Sequence, residues 1–590
     1  MEQKRIAVIN YKKCQPEKCN WLCIRVCPVN RTGKECIVEQ NKKPIIEENL
    51  CTACGICVHK CPFDAIRIVN LSAKLDKPLH QYCKNCFRLY GFALPMQGKV
   101  IGLLGANGIG KTTLIKILSA QIVPNLGNFK DNVTDYSNVL EFFRGKEAFD
   151  FFNELANREK KFSLKIQRIE SIAANFPNLT VGELLERFAA KERFADIAKE
   201  FELENIISRK LKEISGGELQ RVAIAVALAK DAELYFFDEP CSYLDVSQRL
   251  KIGKRIRDKA TKEGKAVMLA EHDLIVLDYA SDFVHLLFGE PHVYGVVAGK
   301  ATTRRGINEF LEGYLSKENI RFRATEIKFY ERAAATKRKR EPLLNYPKME
   351  KKLDGFELVV EEGELYKGEV VSVLGPNGIG KTTFVRMLAN EIKPDNVELK
   401  CSYKVAYKPQ YLKSEHKTVR QLFDSLEIDL SLFESEIEHR LQIKKLFDSF
   451  ADELSGGELQ RVAIALNLAR EAEIILLDEP SAFLDVEERL AAAETIKAVV
   501  EKTQRSCIVV DHDLLFQDIV GERIIVFEGI PAKKGFAHKP ETMESGMNRF
   551  LKGLNITFRR DKETKRPRAN KLGSKKDREQ KAKGQYYYAL

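Results

Sequence analysis

The stretch ISGGELQRVAIAVALAKDAELYFFDEPCSYLD, residues 214–245, recurs almost unchanged as LSGGELQRVAIALNLAREAEIILLDEPSAFLD at residues 454–485. In both copies the serine of SGG lies 23 residues before the aspartate of DEP, and the glutamate of DEP lies 33 residues before the histidine of HDL. Long self-similarity at constant spacing indicates a structural unit used more than once. The chain therefore contains one module twice.

Each copy also has a glycine loop nearer its start, GANGIGKTT at residues 105–113 and GPNGIGKTT at residues 375–383. An apolar strand-like run precedes each loop and a helix-like run follows it, and a later apolar run ends in Asp-Glu. Alternating strands and helices predict an α/β sheet whose ligands bind at the strand ends.

The two modules differ in length between the glycine loop and the SGG motif. The distance from Lys111 to Ser215 is 104 residues, whereas Lys381 to Ser455 is 74 residues. The apolar spacing and the Arg144-Gly145 break predict two short helices around a turn in this insertion. The excess is a surface loop, which proteins tolerate at little cost, or a docking element.

The glycine loops are predicted to bind the phosphates of a nucleotide. Glycines let backbone N–H groups face a phosphate at a helix N-terminus, where Cβ atoms would crowd the ligand. The loop lysine meets the β- and γ-phosphates and the next threonine binds Mg²⁺. The predicted ligands are Gly105, Asn107, Gly108, Gly110, Lys111, Thr112 and Thr113 in the first module and Gly375, Asn377, Gly378, Gly380, Lys381, Thr382 and Thr383 in the second.

Two neighbouring acids end the later apolar run of each module. Asp238 and Asp478 are predicted to hold Mg²⁺ through its water shell. Glu239 and Glu479, the next residues, are predicted to polarise the attacking water. The sequence thus predicts an enzyme that hydrolyses a nucleoside triphosphate at two sites.

The N-terminal segment carries cysteine runs with iron–sulfur spacing. Residues 51–62, CTACGICVHKCP, have two, two and three residues between cysteines, and residues 14–28 have four, three and three, again ending in Cys-Pro. In two-cluster ferredoxins the last cysteine of each run binds the other cluster. The predicted [4Fe–4S] ligands are Cys51, Cys54, Cys57 and Cys27 for one cluster and Cys19, Cys23, Cys61 and Cys14 for the other, with Cys36 as the alternative to Cys14.

Zinc is the alternative for clustered cysteines, but two four-cysteine runs that each end in Cys-Pro favour clusters. Cys83 and Cys86 form a further CxxC, and with no second pair nearby they are predicted to be free thiols in the first module. The three remaining cysteines are predicted to be core residues: Cys241, Cys401 and Cys507.

Length and composition restrict the number of domains and the cellular compartment. A chain of 590 residues is predicted to hold three or four domains. It has no apolar run of about 18 residues, and its start lacks the apolar core of a signal peptide. Of its 14 cysteines, 11 fall before residue 87 at short spacings, which suggests metal binding in a reducing compartment. We therefore expect a soluble cytoplasmic protein.

The net charge of +12 is concentrated in two segments. Residues 304–340 contain 11 Lys and Arg against 5 Asp and Glu, and residues 559–590 contain 12 against 4. A basic tail is either a solvated, disordered end or a contact to the phosphate backbone of a nucleic acid.

SGGELQR followed by DEP, LD and an isolated HD resembles the nucleotide-binding domains of ATP-binding cassette proteins, and it does so twice. This resemblance implies that the signature residues close over the γ-phosphate bound in the opposite module; they are Ser215, Gly216, Gly217, Ser455, Gly456 and Gly457. It also implies that His272 and His512 are switch histidines and that Gln167 and Gln410 lie beside Mg²⁺ and the attacking water. Asp245 and Asp485 would lie at the dimer interface. The aromatic residues that stack on adenine would be Tyr82, Phe87 and Phe356.

A cluster domain in front of two cassettes resembles the E class of ATP-binding cassette proteins, the RNase L inhibitor family of ribosome recycling factors. The resemblance covers almost the whole chain and implies an α/β fold with two tandem cassettes arranged head to tail behind a ferredoxin-like domain. The implied divisions are 1–75 for the cluster domain, 76–290 for the first nucleotide-binding domain with a helical insertion at about 138–166, 291–342 for a first hinge, 343–530 for the second nucleotide-binding domain, and 531–590 for a second hinge with the basic tail.

The resemblance implies an ATP-driven factor that splits ribosomes into subunits after termination or stalling and then stays on the small subunit. The implied partners are the small subunit with its rRNA and a release factor or Pelota, with no membrane. The implied cofactors are ATP, Mg²⁺ and two [4Fe–4S] clusters. The chain would be a monomer whose two cassettes form an internal pseudo-dimer.

Other classes of cassette protein fit less well. ATPase subunits of membrane transporters are generally single modules without clusters, and DNA-repair cassettes carry a long coiled coil or zinc insertion that this sequence lacks. The remaining alternative is a soluble iron–sulfur cassette ATPase that acts on nucleic acid or in ATP-gated electron transfer.

Overall fold

The structure is a computed structural model and describes residues 4–11, 13–71, 77–129, 135–189, 191–329, 341–353, 355–399, 403–410 and 416–587. Cys401, predicted to be a core residue, and residues 330–340 of the first basic segment lie outside the described residues. The chain divides into two compact units, the first made of residues 1–240, 256–271 and 281–324 and the second of residues 241–255, 272–280 and 325–590.

The N-terminal part of unit 1 is a small domain of short elements. They are β1 (Lys4–Ile9), α1 (Pro16–Cys19), α2 (Leu22–Val26), α3 (Pro28–Arg31), β2 (Ile37–Gln40), β3 (Lys43–Ile46), α4 (Ile56–Lys60) and β4 (Ile66–Leu71). Strand β1 pairs antiparallel with β4, and β2 forms a hairpin with β3. Prolines at the start of α1 and α3 favour a helix beginning there, because a first-turn residue needs no N–H partner.

The first cassette and its C-terminal extension follow. Their elements are β5 (His80–Gln81), β6 (Arg88–Tyr90), β7 (Val100–Leu104), α5 (Lys111–Leu118), α6 (Ser137–Phe143), α7 (Ala148–Ala156), β8 (Phe162–Lys165), α8 (Glu170–Asn175), α9 (Val181–Glu186), α10 (Lys191–Glu200), α11 (Gly216–Ala229), β9 (Leu234–Asp238), α12 (Val246–Thr261), β10 (Ala266–Ala270), α13 (Leu274–Ala280), β11 (Phe283–Glu290), β12 (Tyr294–Val297), β13 (Ala301–Thr302), α14 (Thr303–Glu312), β14 (Tyr314–Leu315) and β15 (Ile320–Arg321), with 3-10 turns at Glu204–Ile206 and Leu211–Glu213.

Nine strands of unit 1 form one sheet in the order β5-β6-β12-β11-β7-β10-β9-β8, with β13 paired to β11. Strands β11, β7, β10, β9 and β8 run parallel. Strands β7, β9 and β10 are buried along their whole length, so their continuous apolar sequences are those of strands covered on both faces. The glycine loop and the Asp-Glu pair therefore lie at the same edge of the sheet.

The second cassette repeats this plan in unit 2. Its elements are β16 (Pro342–Tyr346), β17 (Met349–Leu353), β18 (Phe356–Val360), β19 (Gly363–Tyr366), β20 (Val370–Leu374), α15 (Lys381–Leu388), β21 (Val405–Lys408), α16 (Val419–Asp424), α17 (Leu430–Leu432), α18 (His439–Leu441), α19 (Gly456–Ala469), β22 (Ile474–Asp478), α20 (Val486–Thr503), β23 (Ser506–Val510), α21 (Leu514–Val520), β24 (Arg523–Ile530), β25 (Lys534–Ala537), β26 (Glu541–Thr542), α22 (Met543–Leu554), β27 (Phe558–Arg560), β28 (Pro567–Ala569) and α23 (Lys575–Ala582), with a π-helical turn at Phe433–Glu438 and 3-10 turns at Lys444–Leu446 and Ala451–Glu453.

The sheet of unit 2 has the order β17-β18-β25-β24-β20-β23-β22-β21, with β26 paired to β24. This order matches that of unit 1 strand for strand, as expected when one module is used twice. The α/β architecture predicted for both modules is present.

The insertion of the first cassette contains the two helices predicted around Arg144-Gly145. They are α6 and α7, which stack Phe143 on Phe152 with ring centroids 5.0 Å apart. The helical part ends at Ala156, and residues 162–165 already belong to strand β8 of the sheet.

The basic C-terminal segment is folded as far as residue 587, so of the two alternatives for the tail the solvated, disordered end is excluded for residues 559–587. Strands β27 and β28 form a hairpin, and the side chain of Arg566 is fully buried beside Asp278, with the guanidinium 3.2 Å from Oδ2. Arg568 bridges Asp278 and Asp561 at 2.6 and 3.1 Å. Because these arginines already pair with carboxylates, any phosphate contact of the tail falls to its other basic residues. Within the part of the chain that the structure describes, no helix combines the length and apolarity needed to span a membrane.

Candidate nucleotide and cluster sites

Each glycine loop joins a buried strand to a helix that begins at the loop lysine. Helix α5 starts at Lys111, whose Nζ donates to the carbonyls of Gly105 and Ala106 at 2.7 and 2.9 Å. Lys381 makes the same pair of bonds at the start of α15. Burial lowers the pKa of Lys381 to about 8, which nearby carboxylates oppose. Each loop therefore holds a buried ammonium group at a helix N-terminus, where an anion is favoured.

Aromatic rings pack directly on both loops. A Cβ at Gly110, whose φ is 108°, would lie 2.8 Å from Cζ of Phe87, and one at Gly380 would lie 3.1 Å from Cζ of Phe356. Both positions therefore require glycine. Tyr82 is 47% exposed, and its hydroxyl lies 3.0 Å from Oγ1 of Thr113. The three aromatic residues predicted to stack on adenine thus border the glycine loops.

The predicted water-activating glutamates are held by the predicted glutamines. Gln167 Nε2 donates to Glu239 Oε1 at 2.7 Å, and Gln410 Nε2 donates to Glu479 Oε1 at 2.8 Å. The switch histidine His512 places Nε2 3.5 Å from Glu479 Oε1. Gln167, which follows the insertion, occupies the same place relative to its glutamate as Gln410.

The two acids of the second module, Asp478 and Glu479, have pKa values shifted in opposite directions. Burial alone raises the pKa of Glu479, but His512, Gln410 and Lys381 outweigh it and bring the pKa down to about 2. Burial raises the pKa of Asp478 to about 6, because the neighbouring carboxylate adds to burial while the Thr382 hydroxyl only partly offsets it. Burial likewise raises the pKa of Asp238. The glutamate is thus kept ionised, as a group that polarises water must be.

The signature serines cap exposed helix N-termini. Ser215 accepts from the N–H of Glu218, whose carboxylate bonds back to the serine, and Ser455 and Glu458 form the same capping box. Gly216 and Gly217 open α11, and Gly456 and Gly457 open α19. The signatures therefore present backbone N–H groups of long helices to solvent.

One predicted seam aspartate touches a glycine loop of its own compact unit. Asp245 Oδ2 accepts from the N–H of Asn377 at 3.0 Å. The carbonyl of Tyr243 accepts from the Asn377 side chain at 3.4 Å. Both aspartates also cap a helix, since Asp245 accepts from the N–H of Gln248 and Asp485 accepts from the N–H of Glu488, each at 2.9 Å.

Sequence reasoning missed two buried lysines beside the acid pairs. Lys165 Nζ donates to the carbonyls of Asp238 and Glu239, both at 2.9 Å. Lys408 Nζ donates to the carbonyl of Asp478 at 2.8 Å, and burial lowers its pKa to about 8. Each lysine stands two residues before the predicted glutamine, a repeated position that was a usable signal.

Two signature-helix glutamines complete this support. Gln220 Nε2 donates to the carbonyl of Glu239 at 2.9 Å, and Gln460 Nε2 donates to that of Glu479 at 2.6 Å. These hydrogen bonds stabilise a strained backbone, because the φ angles of Glu239 and Glu479, 47° and 49°, lie in the left-handed region that non-glycine residues rarely adopt.

Four cysteines meet around one small pocket of the N-terminal domain. Cys14, Cys19, Cys23 and Cys61 line it together with apolar side chains that include Trp21. Burial raises the pKa of Cys14 to about 11 and that of Cys23 to about 12. Buried thiols in an apolar wall are a suitable ligand set for iron, whose charge favours the thiolate.

The second ligand set lies around Cys57. Burial raises its pKa to about 11, and Cys51, Cys54 and Cys27 are the cysteines that add to the rise. Cys36 is buried beside Cys27 and Cys51, so it accompanies this set rather than the pocket of Cys14. Among the described residues, no group of three His, Cys, Asp or Glu converges as a single metal ion would require. A cubane differs from such an ion in that its thiolates bind separate iron atoms.

Cys83 and Cys86 form a disulfide, so the prediction of free thiols was wrong. Their Cα atoms lie 5.0 Å apart, within the range that a disulfide spans. Cys241 and Cys507 are buried, as predicted for core cysteines.

Family models match the same segments. The model for ABC transporters matches residues 94–242 and 361–482. A model described as a possible Fer4-like domain in RNase L inhibitor matches residues 5–35, and a 4Fe-4S binding domain matches residues 44–67. These matches confirm the predicted clusters and cassettes, and Cys36 lies just outside both iron–sulfur matches.

Similar proteins align along the full length of the chain. An uncharacterized ABC transporter ATP-binding protein of Methanocaldococcus jannaschii is 48% identical over 99% of this chain and 97% of its own. Translation initiation factor RLI1 of Saccharomyces cerevisiae is 42% identical over 100% of this chain and 98% of its own.

Two solved structures are similar over most or all of the chain. One is a model of ribosome-bound archaeal Pelota and ABCE1, with a TM-score of 0.91, 51% identity and full coverage of both chains. The other is a crystal structure of archaeal ribosomal stalk protein aP1 with an archaeal ribosome recycling factor, with a TM-score of 0.82 and 48% identity, covering 87% of this chain and 99% of that one.

Proposed function

Because this chain belongs to the RNase L inhibitor family, the E class of ATP-binding cassette proteins, we propose that it is a ribosome recycling factor driven by ATP hydrolysis. The observation that carries the proposal is the likeness to the archaeal chain bound with Pelota on the ribosome, at 51% identity along the whole length. The reaction is ATP plus water to ADP plus phosphate, with Mg²⁺ neutralising charge on the phosphates. The work done is the separation of ribosomal subunits after termination or stalling.

The side chains around each glycine loop supply the chemistry. Lys111 and Lys381 exchange their carbonyl partners for phosphate oxygens. Glu239 and Glu479 orient and polarise water, each with its carboxylate aimed by a glutamine 2.7 to 2.8 Å away. Ser215 and Ser455 each approach the nucleotide held by the other cassette, so closure of the two cassettes completes both sites.

Closure and reopening form the mechanical stroke. The N-terminal domain carries the two clusters as a rigid head, and the insertion helices and the remaining exposed basic side chains contact the small subunit and its rRNA. A release factor or Pelota occupies the ribosome beforehand. After splitting, the closed form stays on the small subunit. The protein acts in the cytoplasm as a monomer.

A sucrose gradient tests the proposal. Ribosomes carrying Pelota or a release factor, incubated with this protein and ATP, should separate into subunits. The variant with Glu239→Gln and Glu479→Gln should bind ATP, hydrolyse it slowly and remain with the small-subunit peak. Glu501→Gln removes an exposed carboxylate of α20 and serves as the matched control. Intact ribosomes in the presence of active wild-type protein and either partner would contradict the proposal.

A further inference from the structure

The disulfide between Cys83 and Cys86 lies at the tip of a hairpin that two other sites share. Strands β5 and β6 pair antiparallel, and residues 82–87 connect them. The connection turns tightly, with the N–H of Cys86 donating to the carbonyl of Cys83 at 3.1 Å. Both cysteines are partly exposed. A pair of cysteines separated by two residues and accessible to solvent is the usual form of a redox-active dithiol.

One side of this tip is bound to the cluster domain. Asn85, between the two cysteines, is 1% exposed and donates through Nδ2 to the carbonyls of Ala7 and Ile46 at 3.0 and 3.1 Å. Its Oδ1 accepts from the N–H of Ile46 at 2.8 Å, and its backbone carbonyl accepts from Ile9 at 2.8 Å. Lys84 forms an ion pair with Glu47. Lys84 and Asn85, which lie between the two cysteines, therefore form part of the contact between the N-terminal domain and the first cassette.

The other side of the tip borders the first glycine loop. Tyr82 precedes Cys83, and its hydroxyl lies 3.0 Å from Oγ1 of Thr113. Phe87 follows Cys86, and its ring lies against Gly110. The disulfide thus joins the residues next to both aromatic side chains of the nucleotide site. The second cassette offers an internal comparison, since it has Phe356 against Gly380 and no cysteine pair in the corresponding hairpin of β17 and β18.

We propose that Cys83 and Cys86 form a reversible redox site that sets the affinity of the first nucleotide site for ATP. The exchange partner is a dithiol of the thioredoxin class or a small thiol with its disulfide. A partner thiolate attacks one sulfur of the pair and forms a mixed disulfide, releasing the other sulfur as a thiolate. A second partner thiol then displaces the first sulfur. Two electrons and two protons pass to Cys83 and Cys86, and the partner becomes the disulfide.

The effect on ATP follows from the placement of the pair. The disulfide limits the conformations of residues 82–87, so Tyr82 and Phe87 are ordered before ATP arrives. Reduction returns that freedom, and binding must then order the turn again. We expect reduction to weaken ATP binding at the first site by about three- to tenfold.

The test uses the full chain with its clusters, purified without oxygen. Samples equilibrated in mixtures of reduced and oxidised dithiothreitol are alkylated, and mass spectrometry of the peptide containing residues 83–86 gives the fraction oxidised. Binding of a fluorescent ATP analogue is then measured in a Lys381→Ala background, which leaves the first site as the reporter. Visible absorption of each sample verifies that the clusters are intact.

Cys86→Ala and Cys83→Ala are the redox-blind controls, and either suffices if the other fails to fold. A peptide that titrates between thiol and disulfide, with an affinity that follows it in the parent and not in the controls, supports the proposal. A peptide that stays reduced or stays oxidised in every mixture overturns the reversible site. An affinity that ignores the redox state overturns the link to ATP.

Discussion

Glu239 and Glu479 each occupy a backbone conformation that costs energy, and other side chains hold them there. A left-handed φ at a non-glycine residue costs on the order of 1–3 kcal/mol. Lys165 and Lys408, together with the signature-helix glutamines, bond the carbonyls at this turn. Their presence at equivalent positions in both modules indicates that they position the glutamates.

Lys408→Met should slow ATP hydrolysis more than it weakens ATP binding. It leaves the buried carbonyl of Asp478 without its partner, a loss of roughly 1–3 kcal/mol, and lets Glu479 move. We expect kcat to fall about tenfold with little change in KM. Steady-state kinetics measure this, with the melting temperature recorded alongside. Lys404→Met, at an exposed lysine of the preceding turn, is the matched control. Equal effects of both variants would contradict a positioning role.

The second site should lose Mg–ATP as the pH falls through about 6. Burial raises the pKa of Asp478 to about 6, so its carboxylate form is lost below that value rather than below its ordinary range near 4. Binding in a Lys111→Ala background should weaken about tenfold between pH 7 and pH 5. Titration calorimetry at saturating Mg²⁺ checks this. Asp478→Asn should bind weakly without the pH step; if it keeps the step, the titrating group lies elsewhere.

At the scale of elements, the paired segments after each cassette pack as part of the sheet they follow. Helix α14 lies against β11 through Gly306, and α22 lies against β24 through Gly546. A Cβ at Gly306 would lie 2.1 Å from Val284 Cγ2, and a Cβ at Gly546 would lie 2.2 Å from Ile524 Cγ2. Residues 306–311, GINEFL, and residues 546–551, GMNRFL, are similar in sequence, and their glycines make the same packing contact.

Gly546→Ala should destabilise the second cassette, whereas Gly553→Ala in the same helix should not. The first adds a methyl group where the neighbouring strand leaves no room, at a cost of about 1–3 kcal/mol. The second meets nothing within 4 Å and replaces a poor helix former, so it should be neutral or stabilise by up to about 1 kcal/mol. Thermal unfolding compares the two, and similar melting temperatures would contradict the close approach of α22 to β24.

At the scale of the whole molecule, the N-terminal domain and the first cassette share one hydrophobic cluster. Ile6 and Val8 of β1 pack with Tyr90, Val293 and Val296 of the first cassette. Their burial means that the cluster domain is seated on the cassette through apolar contact as well as through Asn85. A change in the cassette can therefore move the cluster domain as one body.

The protein purified without oxygen should contain about eight iron atoms and eight sulfides per chain, because two ligand sets are present. Cys61→Ser should lower both numbers, since Cys61 lines the pocket with Cys14, Cys19 and Cys23. Cys83→Ser should leave them unchanged, because that residue belongs to the hairpin disulfide. Metal analysis and visible absorption make the measurement, and near-stoichiometric zinc without iron would contradict the assignment.

The sequence by itself determined the repeat, both glycine loops, the acid pairs and the two cysteine runs. These features are local, since each depends on residue types at short, constant spacing along the chain. The resemblance to cassette domains, rather than spacing, identified Gln167 after the insertion, and Gln167 donates to Glu239 in the structure. Length and motif order were enough to separate the cluster domain from the two cassettes.

Only the tertiary structure decided which distant side chains meet. In the sequence Lys165 and Lys408 are ordinary strand residues. The structure shows their role, because β8 and β21 pair with the strands that end in the acids. Spacing left Cys14 and Cys36 as alternatives, and the structure places Cys14 in the pocket with Cys61 and Cys36 beside Cys27 and Cys51. The sequence left the basic C-terminal segment as either a solvated end or a phosphate contact, yet Arg566 and Arg568 pair with Asp278, 288 and 290 residues away. Such contacts depend on the whole fold, because a charged side chain can be buried only where folding places an opposite charge beside it.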